Sequence, residues 1–123
     1  MNATMIGWRT DAARLLHKFT KSRATRRGRP YTLSVETIAR MLFDAGDRCE
    51  VTGLKLDYRS NTNPHWKSRP MAPSLDRISN LGGYEASNLR IVCACVNVAI
   101  NEWGLDNFQN ICRAFVSRNG NGR

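Results

Sequence analysis

The sequence predicts an α+β domain centred on two short strands and the helix that follows them, with further helices as buttresses. Three observations carry that expectation. Residues 72–78 lean apolar and Leu89-Arg90-Ile91-Val92-Cys93 is apolar and β-branched, which suits two strands. Between them Asn80-Leu81-Gly82-Gly83 is turn chemistry, because paired glycines tolerate positive φ without steric cost. Beyond Cys93 the period lengthens: Val96, Ala99, Ile100 and Trp103 fall at i, i+3, i+4 and i+7, a buried helical stripe. The whole chain of 123 residues reads as one domain, large enough to bury roughly two thirds of its unfolded surface.

From the start of the chain, residues 10–22 are expected to be helical, with Thr10 as N-cap, Asp11 in the first turn and Ala12, Leu15, Leu16 and Phe19 as the stripe on which Trp8 packs. Gly28 and Pro30 end the basic run that follows. Ser34 then opens a helix whose buried face is Val35, Ile38, Ala39 and Leu42, and Gly46 closes it. These helices make up residues 10–46, and residues 47–103 form the strand-strand-helix centre. The turn from Cys49 to Gly53 leads into a short strand or extended segment over 54–58, and the polar residues 59–73 read as a surface loop. Gly104 breaks the chain before a covering helix over 104–117, with Phe108, Ile111, Cys112 and Phe115 as its stripe; residues 118–123 are expected to fray.

Nineteen Lys and Arg stand against ten Asp and Glu, a formal charge of +9, which implies a polyanionic partner. DNA and RNA fit better than anionic lipid, because no strongly hydrophobic amphipathic helix or lipidation signal accompanies the charge. No secretory signal is visible, and the longest apolar segment, 89–100, is interrupted by Arg90 and Asn97 and is too short to span a bilayer. A cytoplasmic protein with no membrane partner is expected. Lys21, Arg23, Arg26, Arg27 and Arg29 lie within nine residues free of acids, and could follow a DNA backbone and displace its counterions, or form only a solvated face. Lys67 and Arg69, interleaved with His65 and Trp66, also suit nucleic acid, although a loop Trp can equally anchor its loop to the core.

Asp76 falls near the end of the first strand and Asn97 lies about 100° round the helix from Val96, on the flank of the buried stripe. A carboxylate and an amide oxygen converging there make a hard, oxygen-only and incomplete cation site suited to Mg²⁺. The plainer reading has Asp76 capping the turn and Asn97 solvated.

Ser74-Leu75-Asp76-Arg77-Ile78, Gly83-Tyr84, Ser87-Asn88-Leu89-Arg90-Ile91-Val92-Cys93 and Asn97 together resemble the ββα-metal (HNH) endonuclease motif. They are closest to the small phage- and prophage-type branch with Asp-Arg in place of the usual Asp-His. The likeness reaches back through Cys49-Glu50-Val51-Thr52-Gly53 to about Arg23 and forward to Asn101-Glu102-Trp103-Gly104. It implies a ββα-metal core and a DNA endonuclease using one Mg²⁺ or Mn²⁺ held by Asp76 and Asn97. Asn88 would pin the loop, and Arg90 would join the phosphate-contacting cations. Double-stranded DNA is expected ahead of single-stranded, in the cytoplasm of a bacterial host if the gene is phage-borne. The departure is Arg77, which occupies the general-base position; a guanidinium cannot take a proton from water but can bind or stabilise a phosphate. His65 is the nearest imidazole in sequence and the candidate base. The alternative is a nucleic-acid-binding protein on a disarmed HNH scaffold.

Relatives in that family carry two Cys-x-x-Cys knuckles around a structural zinc. Here the first has Thr52 where the second Cys would be, and Cys93-Ala94-Cys95 has the wrong spacing. Structural zinc and disulfides are therefore not expected.

Overall fold

Alternation along Leu75-Asp76-Arg77 and the β-branched run Leu89-Arg90-Ile91-Val92-Cys93 produce a two-stranded antiparallel hairpin. In the computed structural model, which describes residues 3–58 and 69–120, its strands are β1 (Pro73–Arg77) and β2 (Leu89–Cys93). The register sets Leu75 against Ile91 and Asp76 against Arg90. The described residues also include α1 (Ala3–Arg27), α2 (Val35–Asp44), α3 (Ala94–Ile100) and α4 (Leu105–Asn119). The fold is thus a mixed α+β arrangement in which α3 leaves β2 with no intervening loop.

That direct junction is held at both ends of the new helix. The amide of Ala94 donates to the Ala72 carbonyl (2.8 Å) and that of Cys95 to the Pro70 carbonyl (3.0 Å), so the segment ahead of β1 satisfies donors that a helix start leaves without partners. Ala94, Val96 and Ile100 face the core. Asn101 then turns into the left-handed region (φ 46°) and ends the helix, so Trp103 lies beyond it and is exposed, as is Ala99. The expected four-residue stripe therefore reduces to Val96 and Ile100, joined by Ala94.

The first helix departs further from expectation. It begins by Ala3, so Thr10 is not its cap: the Thr10 hydroxyl donates to the Ile6 carbonyl inside the helix (2.9 Å). It also continues through the basic run to Arg27, where Gly28 (φ 62°) stops it and the two terminal arginines sit at the end where the helix dipole favours cations. Its buried residues are Arg9, Ala12, Ala13, Thr20 and Ala24, whereas Trp8 and Phe19 are exposed and Leu15 and Leu16 half-buried. Small side chains let the helix approach α2 closely, and apolar periodicity does not register a face built from Ala, Thr and Arg.

The second helix follows its sequence signals. Ser34 Oγ accepts from the Thr37 amide (3.0 Å), Ile38 and Leu42 are fully buried, and Gly46 takes φ 68° after the last turn. Residues 54–58 make only an isolated bridge, Arg48 to Lys55, rather than a strand. The last helix runs to Asn119 and has no buried residue; Ile111, Cys112, Phe115 and Val116 are exposed, and only Leu105 and Phe108 pack partly on the core. It is not the cover the stripe implied.

A buried ion pair locks α1 to the loop after α2. Arg9 Nε and Nη2 reach Asp47 Oδ1 (2.8 Å) and Oδ2 (2.7 Å), a two-pronged contact. The Tyr58 hydroxyl donates to Asp47 Oδ1 (2.8 Å), and the Arg9 guanidinium also lies 5.2 Å from the centre of the Phe43 ring. Asp47 holds this position with φ 58°, a conformation few residues other than Gly, Asn and Asp adopt. The hydrogen bond from Arg9 keeps the Asp47 carboxyl below its usual range against the opposing effect of burial.

Removing one partner strands the other in the interior, so Arg9→Met is expected to cost about 3–5 kcal/mol in a denaturant titration. Because the folded-state pKa of Asp47 is depressed, its stabilising contribution is complete above the unfolded value of about 4 and drains as pH falls through the folded value. Asp47→Asn should therefore be less stable than the parent at pH 7, with the gap narrowing on acidification below about pH 4. A constant gap across that window would show that the pair is not the origin of the effect.

Candidate functional site: an arginine-lined cleft between α1 and the hairpin

The hairpin and α3 are joined by one side chain. Asn97 Nδ2 donates to Ser74 Oγ (2.6 Å) and, more weakly, to the Leu75 carbonyl (3.4 Å). This fixes which way the amide points, because only Nδ2 can donate to a carbonyl. Among the described residues Oδ1 has no hydrogen bond, and Asn97 lines a cleft of about 760 Å³. Asp76 lines the same cleft, 5 % exposed, with Oδ2 receiving Arg90 Nε across the hairpin (2.7 Å) and Oδ1 without a partner among the described residues. Ser74 and Asp76 share one face of β1 by the two-residue strand period.

Two residues with side-chain oxygens, from different elements, thus line one cavity. A pair of oxygen donors is an incomplete set that fits a hard divalent cation completed by water and a ligand oxygen. Among the described residues no group of three or more His, Cys, Asp and Glu is arranged to hold a metal ion. Arg90 orients Asp76 much as an outer-shell partner orients a ligand, and offsets part of its charge.

Arg77 serves the loop between the strands. Its Nη1 donates to the carbonyls of Asn80 (3.1 Å) and Gly82 (3.0 Å), and its guanidinium lies 5.2 Å from the centre of the buried Tyr84 ring. Nε and Nη2 have no hydrogen bond among the described residues, and the residue lines the cleft. Asn88 closes the same loop with three bonds: Nδ2 to the carbonyls of Ser79 and Gly83, and Oδ1 from the Ser79 amide, each 3.0 Å. Neither Gly82 nor Gly83 uses the freedom of glycine to take positive φ. Their role is close approach: a Cβ on Gly82 would stand 2.6 Å from Asn88 Nδ2, and one on Gly83 would stand 2.9 Å from the Pro30 carbonyl oxygen.

The basic run divides by helical geometry. Arg23 and Arg27, four residues apart, turn to the cleft with Arg29, whereas Lys21 and Arg26 are exposed elsewhere on the helix. Arg29 Nη1 also donates to the Leu81 carbonyl (3.3 Å). Arg69 lines the cleft too, but it is buried, with Nη2 donating to the Asp57 carbonyl. Arg90 does not line this cleft and is committed to Asp76. His65 and Lys67, with Trp66, lie outside the described residues.

Sequence reasoning missed Ser74, Tyr84 and Asn80. Ser74 was open to the strand period, two residues before Asp76. Tyr84 is knitted in by its backbone, which donates to the Pro30 carbonyl (2.9 Å) and accepts from the Thr32 amide (3.2 Å), contacts that no local pattern announces.

No protein-family model, curated protein or solved structure matches the chain. The site's chemistry must be argued from its own residues.

The cysteines are more closely grouped than their spacing implies. Cys49 and Cys93 are buried, and Cys93 Sγ lies 3.7 Å from Cys95 Sγ. Burial pushes the Cys93 thiol up to about 11. Burial also acts to raise Cys49, but the Thr52 hydroxyl and neighbouring backbone amides outweigh it and leave that thiol below its usual value. Thr52 thus lies beside a buried sulfur at the position where a knuckle would have its second Cys, and its hydroxyl accepts from the Leu54 amide (3.2 Å).

Gly82→Ala is expected to break the Asn88 clasp and destabilise the loop by about 1–3 kcal/mol. Asn88→Ala should do the same, and the double variant should cost little more than either single one, since both remove one set of bonds. Amide exchange of residues 79–83 reads the effect, and strict additivity would show that the two positions act apart.

Proposed function

We propose that the chain is a metal-dependent DNA endonuclease of the HNH type, with Asp76 and Asn97 holding one Mg²⁺ or Mn²⁺ ion. A single observation carries the reading: both residues line one cleft, each with a side-chain oxygen that has no hydrogen bond among the described residues, and the walls of that cleft carry Arg23, Arg27, Arg29, Arg69 and Arg77. Cations around an acidic donor suit a phosphodiester, which needs its own charge neutralised while a hard ion meets one of its oxygens. The β1–β2–α3 order, and the asparagine clasp on the intervening loop, are further support.

In this reading the ion would supply Lewis-acid stabilisation of the departing oxygen and acidify the attacking water. Asp76 is aimed by Arg90, and Asn97 by Ser74. Arg77 keeps the loop in place through Nη1 and has Nε and Nη2 left for a phosphate oxygen. Arg23 and Arg27 bind flanking phosphates, contacts that hold the backbone and carry no base information. Both strands of a duplex offer such phosphates, so double-stranded DNA remains the proposed substrate.

The second reading is a DNA-binding protein on a disarmed scaffold. What favours it is Arg77 itself, a group unable to accept a proton and partly spent on loop carbonyls.

Plasmid nicking with Mg²⁺ or Mn²⁺ separates the two. Cleavage is expected, falling by about 100-fold in Asn97→Ala and Asp76→Asn, the scale of losing one group that stabilises transition-state charge. Thermal melts of both variants exclude unfolding as the cause. Tight, salt-sensitive DNA binding with no cleavage by the parent would establish the second reading. On either reading, Arg23→Ala with Arg27→Ala should lower the slope of log K against log salt by about 2, and Lys21→Ala with Arg26→Ala by less. Equal slopes would remove α1's inner face from the interface.

A further inference from the structure

The cleft between α1 and the hairpin is not cationic along its whole length. Both α1 and α3 pack on β1, so the two helices supply its walls and the strand its floor. All three elements run toward the loop between the strands. Arg29 Nη1 bonds the Leu81 carbonyl just past α1, and Asn80 Nδ2 donates to the Glu102 carbonyl just past α3 (3.4 Å). Arg27, Arg29 and Arg77 therefore gather at that end, while Ala12, Leu15, Leu16, Ala72 and Pro73 line the other. Phe19 and Val98 stand between, one on each wall. They are 39 % and 54 % exposed, and among the described residues they are the large exposed apolar side chains that line this cleft. By the helical repeat Phe19 shares a face of α1 with Arg23, one turn on, and Val98 directly follows Asn97 on α3.

We infer that Phe19 and Val98 form a slot for one unstacked base, and that the DNA held best is a duplex with an unpaired nucleotide beside the phosphate that the arginines bind. A phosphodiester accounts for the cationic end of the cleft and not for the rest. Its charge gains nothing from an aromatic ring or a valine, since apolar surface only withdraws it from water. A nucleotide has both parts, an anionic group and a flat body with two π-faces. The ring one turn before Arg23 can take the base while the guanidinium takes the phosphate attached to it. A paired base does not reach such a slot until it is swung out of the stack, and that costs least where the base has no partner. The cleft, about 760 Å³, falls within the range of small-ligand pockets, about 300–1,000 Å³. A lipid fits less well, because the apolar lining from Ala12 to Phe19 covers about 10 Å of helix against about 15 Å for half of a bilayer's hydrocarbon core. The inference rests on nucleic acid as the ligand of the cleft, as in the proposed function, and needs neither the metal ion nor cleavage.

Fluorescence anisotropy of a labelled duplex tests it, with EDTA present so that neither a divalent ion nor cleavage enters. Three probes are compared: the duplex fully paired, with one unpaired thymine, and with an abasic residue in place of that thymine. The parent should bind the thymine bulge at least about 5-fold more tightly than the abasic bulge, the scale of stacking one base on a side chain, and more tightly than the paired duplex. The abasic probe keeps the same phosphates, so the first comparison isolates the base. Phe19→Ala and Val98→Ser should each shrink that ratio, with thermal melts showing that both are folded, whereas Arg23→Ala should weaken all three probes. Where Phe19→Ala does not fold, the probe comparison on the parent and on Val98→Ser decides. Equal affinity of the parent for the thymine and abasic bulges overturns the inference, as does a ratio that survives both Phe19→Ala and Val98→Ser. A parent that nicks plasmid but shows no such ratio loses the slot alone, and one that shows the ratio but never nicks loses the nuclease reading alone. No binding to any probe overturns the inference together with both readings of function.

Discussion

On the proposed reading, a single amide side chain decides whether this fold has a cation site. Asn97 ties α3 to β1 through Ser74 and the Leu75 carbonyl by its Nδ2, which leaves its oxygen as the end of the amide outside that tie. Without that tie the helix, only seven residues long, would be held by Val96, Ile100 and the two carbonyls at its start. Hydrophobic burial is non-directional and would permit small rotations. The hydrogen bonds do not, and a rotation of tens of degrees would carry Oδ1 out of the cleft that Asp76 shares. The placement of a donor on a helix thus depends on a strand hydroxyl that carries no chemistry of its own.

The arginines divide the remaining work, and their commitments differ in kind. Arg9 is buried against Asp47 and holds two helical segments together, a role far from the cleft. Arg90 neutralises and aims Asp76. Arg77 is shared, one nitrogen on loop carbonyls and the others toward the cavity. Arg23 and Arg27 have no ion pair among the described residues and line the cleft from the inner face of α1. A net charge of +9 therefore overstates how much positive surface is open to a polyanion, because several charges are consumed inside the fold. It also explains why the basic run cannot be treated as one unit: a helix gives its residues different directions.

What was legible in the sequence was local. The β-branched run became β2, Ser34 became a cap, and Gly28 and Gly46 ended helices, each because its cause lies within a few residues. What was not legible depended on distance or on register. The Arg9–Asp47 pair spans 38 residues. The Asp76–Arg90 pair needs the hairpin register before it can be seen. The glycines before Tyr84 were read as conformational devices, yet their task is to let Asn88 and the Pro30 carbonyl come near. The apolar stripe of α4 was legible, but periodicity reports that a face is apolar and is silent on what covers it. For α1 the failure ran the other way, since a face of Ala and Thr is buried without looking apolar.

The charge balance of the cleft bears on the order in which its ligands are held. Five arginines line it against Asp76 and Glu102, and Arg90 draws on Asp76 from outside the cavity. A bare divalent cation entering such a space meets repulsion from most of its charged surroundings and few acidic oxygens among the described residues. A phosphate meets the opposite field and reduces that repulsion, while adding an oxygen to the cation's incomplete shell. On the proposed reading the two ligands must then favour each other, and the coupling is reciprocal by thermodynamic necessity. The arginines that attract the nucleic acid and the modest donor set for the ion are consequently parts of one arrangement, in which the cation is held firmly only where there is a phosphodiester to act on.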